Sequence, residues 1–403
     1  MKDLLFLSNG HGEDMIAGRI LDAVREIAPA LEIDAWPMVG RGDAYLSRGV
    51  PISGTQNLLP SAGFATLEWK LMGADLRAGW IRTHWNQFRD SRSLGGRYRL
   101  LVAVGDIIPL LASVFARTPF VFVGCAKSYY YDAKHGYTGL EKRLLRRHAM
   151  AVYPRDALTA RTLADAGIPV RDLGNPMMDG LEGSGDRFGV PQGSTVVGMF
   201  PGTREDAEVN FLDLLASALA MARRSADPAR LRFLFPVRGA FDAAAMASAI
   251  SGEPILAGVS VAVTGAGEGV VLRAQLPGGA EAIVAKNRFA DALRLSDIVV
   301  GMAGTANEQA IGLGIPLVTA PSRGVQGERF VRMKMQFFGD SAVAVARDPD
   351  AIAAETLAIL ADPERGRRMG VAGRERMGAP GASRAIAGEI VAALQSLRQE
   401  RAA

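Results

Sequence analysis

Short, almost uninterrupted apolar runs recur along this chain: "LLFLS" (4–8), "YRLLVAV" (98–104), "PFVFVG" (119–124) and "AMAVYP" (149–154). A strand with one wet face alternates apolar and polar residues. A run that is apolar at nearly every position needs cover on both faces, as in a parallel sheet between two layers of helix. The intervening segments have helical character: "MIAGRILDAVREI" (15–27), "TGLEKRLLRRH" (138–148) and "RDALTARTLADAG" (155–167). From about residue 195 the succession begins again. "TVVGMF" (195–200) leads through "PGTRED" into the helical "AEVNFLDLLASALAMARR" (207–224), and "LRFLFP" (231–236), "DIVV" (297–300) and "PLVT" (316–319) supply further strands. The expected fold class is α/β, with two doubly wound Rossmann-like domains facing each other across a cleft.

A length of 403 residues suits two domains at roughly 150 residues each. The first is expected over 1–175, with an aromatic and basic insertion at 40–99. "LGNPMMDGLEGSGDRFGVPQGS" is rich in Gly and Pro and reads as a linker over 176–194. The second domain is expected over 195–375, with a hairpin insertion within 251–285 and a terminal helix at 376–403.

With 49% hydrophobic and 22% charged residues, the composition is that of a globular protein. The single cysteine, Cys125, excludes an internal disulfide and reads as a packed thiol in a reducing compartment. "MKDLLFLSNG" turns polar too early for a signal peptide, and Asp106 and Arg117 bracket the longest apolar run, so no transmembrane helix is expected. The chain is expected to be cytoplasmic, with any membrane contact peripheral. A net charge of +4 and a pI near 9.3 favour anionic partners.

In doubly wound sheets, ligands bind at the carboxyl ends of the strands, so the polar turns after strands carry the chemistry. "SNGHGED" (8–14) follows the first strand. Gly10 and Gly12 let the backbone approach a ligand, and Asp14 is placed to cap the next helix. Met15 stands where a dinucleotide fingerprint needs its third glycine, so NAD binding is not expected. His11 either accepts a proton near neutral pH or only hydrogen-bonds the turn. "VAVGDIIP" (102–109) puts Asp106 past a buried strand, as a helix cap or as a base facing His11. "FPGTRED" (200–206) sets Gly202, Thr203 and Arg204 before a helix, where a guanidinium and backbone N–H groups suit a diphosphate. "GMAGTANEQAIGLGIPLV" (301–318) repeats the device: Gly304, Thr305, Asn307, Glu308 and Gln309 lie at a strand-to-helix turn. Four widely spaced histidines and no cysteine cluster argue against a metal site, and Asp348-Pro-Asp350 reads as a helix start.

Residues 64–99 hold seven Lys or Arg against three acids, interleaved with Trp69, Trp80, Trp85 and Phe88. This suits an interfacial helix among lipid headgroups, although Leu67, Leu71, Leu76 and Ile81 near helical spacing also suit a core face.

"SNGHGED", "VAVGDIIP", "VRDLGNPMMDGL", "FPGTRE", "SDIVVGMAGTANEQAIGLGIPLV" and "QGERFVRMKMQFFG" run in this order over most of the chain. Together they resemble the GT-B glycosyltransferases, and most closely the related branch of the lipid-A-disaccharide synthase family. The resemblance implies an inverting, metal-independent transfer of an N-acetylglucosamine-type sugar from a UDP-sugar to a lipid-linked acceptor, with no cofactor. Asp106 or His11 would be the base. The remaining contacts to substrate would come from Gly10, Gly12, Asp14, Asn175, Gly202, Thr203, Arg204, Gly304, Thr305, Asn307, Glu308, Gln309 and Gln326. The family's ribose-binding acid lies seven residues before the helix-ending proline, where this chain has Gln309 before Pro316; Glu308, one residue earlier, is expected to take that role. The first domain would then bind the acceptor, at the inner face of the plasma membrane and on an anionic lipid surface; a homodimer is compatible, and no nucleic acid is expected as partner. A UDP-N-acetylglucosamine 2-epimerase-like enzyme and a non-catalytic nucleotide-sugar-binding protein are the alternative readings.

Overall fold

The computed structural model describes residues 1–56, 80–131, 136–203, 206–324 and 327–402, and of 80–85 and 401–402 the backbone alone. The chain divides into two compact units, Met1–Asp179 with Gly378–Ala403, and Gly180–Met377.

The first unit is built on a five-stranded, wholly parallel sheet of β1 Lys2–Ser8, β2 Ile33–Pro37, β3 Tyr98–Val104, β4 Phe120–Gly124 and β5 Ala149–Pro154. The spatial order is β2-β1-β3-β4-β5. Its helices are α1 His11–Ile27, α2 Asp43–Leu46, α3 Trp80–Leu94, α4 Ile107–Ala116, α5 Gly139–His148 and α6 Ala157–Asp165, and the C-terminal helix Ala382–Ala402 joins them. Leu4 and Phe6 pack to one side with Ile16 and Ile20 of α1 and with Ile386, Ile390 and Leu394 of the C-terminal helix. Leu5 and Leu7 pack to the other side with Leu110, Leu145 and Leu163. Cover on both faces is why β1 is apolar at successive positions.

Part of the expected 40–99 insertion is ordinary domain structure. In α3, buried Gln87 donates to the Met38 carbonyl at 2.6 Å, Asp90 accepts from the Thr55 amide at 3.1 Å, and Phe88 lies 5.1 Å from the Phe115 ring. Residues 57–79, Trp69 among them, and the side chains of Trp80 and Trp85 lie outside the described residues.

The second unit has an eight-stranded sheet of β6 Thr195–Phe200, β7 Leu231–Val237, β8 Ser260–Val263, β9 Gly269–Gln275, β10 Glu281–Lys286, β11 Ile298–Gly301, β12 Leu317–Thr319 and β13 Ala342–Ala344. The order is β13-β12-β11-β6-β7-β10-β9-β8. It is parallel except where β8 and β9 add an antiparallel edge to β10, within the stretch expected to form a hairpin. The helices are α7 Ala207–Arg224, α8 Ala243–Gly252, α9 Phe289–Leu295, α10 Thr305–Gly312, α11 Glu328–Phe338, α12 Pro349–Ala361 and α13 Pro363–Met377. Asp348 caps α12 as its sequence implies, accepting from the Ala351 amide at 2.8 Å.

Two boundaries differ from the sequence expectation. The stretch 176–194 is no free linker, because Phe188 and Val190 are buried beneath the second sheet with Val196, Leu234 and Ile283. Glycine and proline content marked its turns but said nothing of the two apolar residues between them. The C-terminal helix is not a separate tail either, since its apolar stripe completes the core of the first unit.

Candidate functional site

In the first sheet the chain leaves β1 toward β2 on one side and later returns to place β3 on the other. The register pairs Ser8 with Val104, so the turns after β1 and β3 lie side by side at the carboxyl edge. The first turn is only Asn9 and Gly10, because α1 already begins at His11. His11 and Gly12 are exposed in its first turn. Asp14 therefore does not cap this helix, contrary to expectation. It lies inside α1, 3% exposed, accepting from the Ser8 hydroxyl at 2.6 Å, while Tyr45 meets Ser8 at 2.6 Å from the other side. Burial is the main reason that its carboxyl rises from an ordinary 3.8 to about 6; the Ser8 bond opposes the rise and the charge of Asp43 adds to it.

Asp106 occupies the second turn as the N-cap of α4, accepting from the Ile108 amide at 2.9 Å. Asn9 bridges the two turns, its side-chain amide donating to both Asp106 oxygens at 3.1–3.2 Å. The Asn9 Oδ1 is buried without a partner among the described residues. Burial raises the Asp106 carboxyl, against the pull of these hydrogen bonds and of the Lys127 charge.

Between the two turns lies Glu13, which the sequence reading passed over. Its side chain fills the space left by two glycines: a Cβ on Gly10 would stand 2.6 Å from Glu13 Oε2, and one on Gly105 would stand 2.9 Å from Glu13 Cγ. Gly105 also has φ +125°, which L side chains rarely adopt. Glu13 rises from 4.5 to about 7, first through burial and then through the charges of Asp106 and Asp14, with its own backbone N–H opposing. Carboxylates held near neutrality are suited to taking a proton. Glu13 stands in the quoted "NGHGED"; a helical phase starting at His11 would have aimed it at the sheet edge.

The second sheet repeats the topology. β7 and β10 extend it to one side of β6 and β11 to the other, so the turns after β6 and β11 adjoin, with Gly301 opposite Phe200. Gly202, at φ +89°, is close enough to the second turn that a Cβ would lie 3.6 Å from the Met302 carbonyl. The N-cap residues of α7 and α10, Asp206 and Gly304, make no side-chain cap bond of their own among the described residues. Two asparagines brace the turns from within: Asn210 donates to the Pro201 carbonyl at 3.0 Å, and Asn307 to the Gly301 carbonyl at 3.1 Å. Asn307, 1% exposed, points into the sheet beside Thr319, so it supports the turn rather than facing out of it. Glu308 is 2% exposed and ion-paired to Lys334 of α11, a partner that the sequence reading did not name.

Gly304 and Thr305 start α10, Gln309 is buried in it, and Thr203 is exposed in the β6 turn. Asn175, expected at the substrate, is wholly buried and accepts from the Met177 amide at 3.1 Å, which shapes the chain before the unit boundary. Arg204 and Gln326 lie outside the described residues. Among the described residues, no three His, Cys, Asp or Glu gather as metal ligands would.

No family model matches the chain. Among curated proteins it is 27% identical to the lipid-A-disaccharide synthase of Trichlorobacter lovleyi over 259 residues, which is 57% of this chain and 59% of that protein. It is likewise 27% identical to the lipid-A-disaccharide synthase of Geobacter sulfurreducens over 250 residues, 56% of this chain and 58% of that protein. The chain thus spans about three fifths of the length of the curated relatives it matches. Among solved structures, the calicheamicin glycosyltransferase CalG4 superposes with TM-score 0.60 at 13% identity, covering 98% of both chains. The S. aureus MnaA–UDP co-structure does so with TM-score 0.59 at 12% identity, over 98% of this chain and 97% of that one. The UDP-GlcNAc 2-epimerase of Neisseria meningitidis, bound to UDP-GlcNAc, gives TM-score 0.56 at 11% identity, over 97% and 99%. These likenesses establish the fold, and with the sequence matches they bear out the resemblance seen in the ordered motifs: the chain is a relative of the lipid-A-disaccharide synthases on a GT-B glycosyltransferase fold.

Proposed function

We propose that the protein is a glycosyltransferase that moves an N-acetylglucosamine-type sugar from a UDP-sugar to a lipid-linked acceptor, with inversion and without a metal or cofactor. The observation that carries this reading is the sequence match to lipid-A-disaccharide synthases. The adjoining turns after β6 and β11 support it: two neighbouring helix N-termini after small-residue turns favour a diphosphate, and Arg204 would add a cation to the departing UDP. Glu308 takes the ribose hydroxyls. In the first unit the acceptor hydroxyl loses its proton to one carboxylate of the Glu13 and Asp106 pair, with His11 at the exposed rim. Glu13 near 7 is partly ionised at neutral pH, when it can still accept a proton.

Incubation of the purified protein with UDP-N-acetylglucosamine, with and without membrane glycolipid extract, tests the proposal. UDP release that depends on the extract, with a hexosamine-extended lipid in the mass spectrum, is the expected result. A UDP-sugar epimerised at C2 without added lipid would make the chain an epimerase. Binding without turnover would make it a non-catalytic nucleotide-sugar-binding protein.

A further inference from the structure

Glu308 is a carboxylate in the first turn of α10 with almost no exposure to water, and the side chain opposite it is Lys334. Lys334 comes from α11, is itself 14% exposed, and has its ammonium 5.5 Å from the Phe330 ring centroid. Lys334 lines a small cavity with Met302, Ala303, Asn307 and Val331, which includes the turn between β11 and α10. The Lys334 ammonium is therefore at the expected nucleotide turn although it is 26 residues beyond Glu308 in sequence.

A charged carboxylate in such a place needs a fixed counter-charge; without one it swings toward water or takes a proton. An ammonium on one oxygen supplies that counter-charge and limits the group's rotation, and a carboxylate with about four acceptor positions still has capacity for hydroxyls. We infer that Lys334 is a positioning residue that fixes the Glu308 carboxylate for a ribose diol, and so sets the preference for a ribonucleotide over its 2′-deoxy analogue. This rests on the reading of Glu308 as the ribose-binding acid.

Calorimetric titration with UDP and with 2′-deoxy-UDP, on the wild type, Lys334→Met, Lys334→Gln, Lys334→Arg and Glu308→Gln, tests it. The wild type should prefer UDP by about ten-fold or more, the scale of one charge-assisted hydrogen bond. Lys334→Met should lose most of that ratio through weaker UDP binding, with 2′-deoxy-UDP little changed, and Lys334→Arg should restore most of it. Lys334→Gln, which keeps a donor without the charge, replaces the Met variant if thermal melting shows that the latter does not fold. A neutral variant that keeps the wild-type ratio overturns the inference. So does an equal loss for both nucleotides, which would put Lys334 on the diphosphate. A wild type without the preference, or a Glu308→Gln variant that retains it, refutes the ribose role of Glu308 itself and takes the inference with it.

Discussion

Glu13 and Asp14 are neighbours with raised carboxyl pKa values, and both oppose folding above mild acidity. In each the folded value, about 7 for Glu13 and about 6 for Asp14, exceeds the ordinary 4.5 and 3.8. The native state therefore holds these protons longer, and stability falls as pH rises from the unfolded value through the folded one. For Glu13 the loss is complete above pH 7. Glu13→Gln removes its share: denaturant melts at pH 5 and pH 8 should show the wild type losing about 2 kcal/mol more than the variant between them. Equal losses would mean that Glu13 is solvated. Activity separates the three candidate bases. Asp106→Asn keeps a good helix cap but loses one of the two acceptors for Asn9, so its effect on turnover is read beside an unchanged thermal melt. Glu13→Gln and Asp106→Asn should each lower kcat, and Glu13→Gln should remove an acid limb near pH 7 from kcat/KM. Full activity in both, with none in His11→Ala, would give the role to His11. Arg204→Ala should lower turnover by about 2–4 kcal/mol of transition-state stabilisation with the melting temperature unchanged; unchanged kinetics would remove it from the diphosphate site.

Helix α5 shows how one element serves two environments. A capping box of Thr138 and Glu141 starts it, and buried Glu141 also pairs with Lys127 at 2.8 Å, which ties the helix to the chain after β4. Leu145 anchors it in the core, while Arg143, Arg146 and Arg147 remain exposed and Leu140 stands 55% exposed at its start. Together with Met150, 41% exposed, this is a basic and apolar surface suited to anionic headgroups. Flotation with phosphatidylglycerol vesicles should carry the wild type at low salt and less of it as salt rises. Reversing the three arginines to glutamate should weaken binding by roughly a hundred-fold or more, at about 1 kcal/mol per charge near the surface. Unchanged flotation would move the docking surface elsewhere.

At the scale of the whole chain, the C-terminal helix is part of the first unit although the entire second unit separates them in sequence. Ile386, Ala387, Ile390 and Leu394 are buried against α1 and the first sheet. At about 1.5–3 kcal/mol for each large apolar side chain, its removal costs on the order of the stability of a domain. Deletion of residues 380–403 should leave Gly180–Met377 protected in hydrogen exchange while Met1–Asp179 loses protection. A protected first unit in the truncated protein would show that the helix is dispensable.

Apolar runs such as "LLFLS" indicated strands covered on both faces, and their alternation with helical segments a parallel sheet, because such strands need apolar cover on each side. Small-residue turns after strands indicated where a site is expected, since Gly-rich backbone permits a close approach there, and the structure sets those turns side by side in each sheet. The motifs in their order also carried a resemblance that the sequence matches to lipid-A-disaccharide synthases bear out. What local sequence could not convey was which side chains those turns turn inward. Asn307 reads as a ligand contact and braces a turn; Asp14 reads as a cap and sits under Ser8; Glu13 reads as an ordinary helix residue and is held near neutrality. Lys334 meets Glu308, and Ile390 meets the first sheet, across long stretches of chain. Burial, pKa and ion pairing depend on distances between residues remote in sequence, and only the folding of the sheets and helices around them decided those distances.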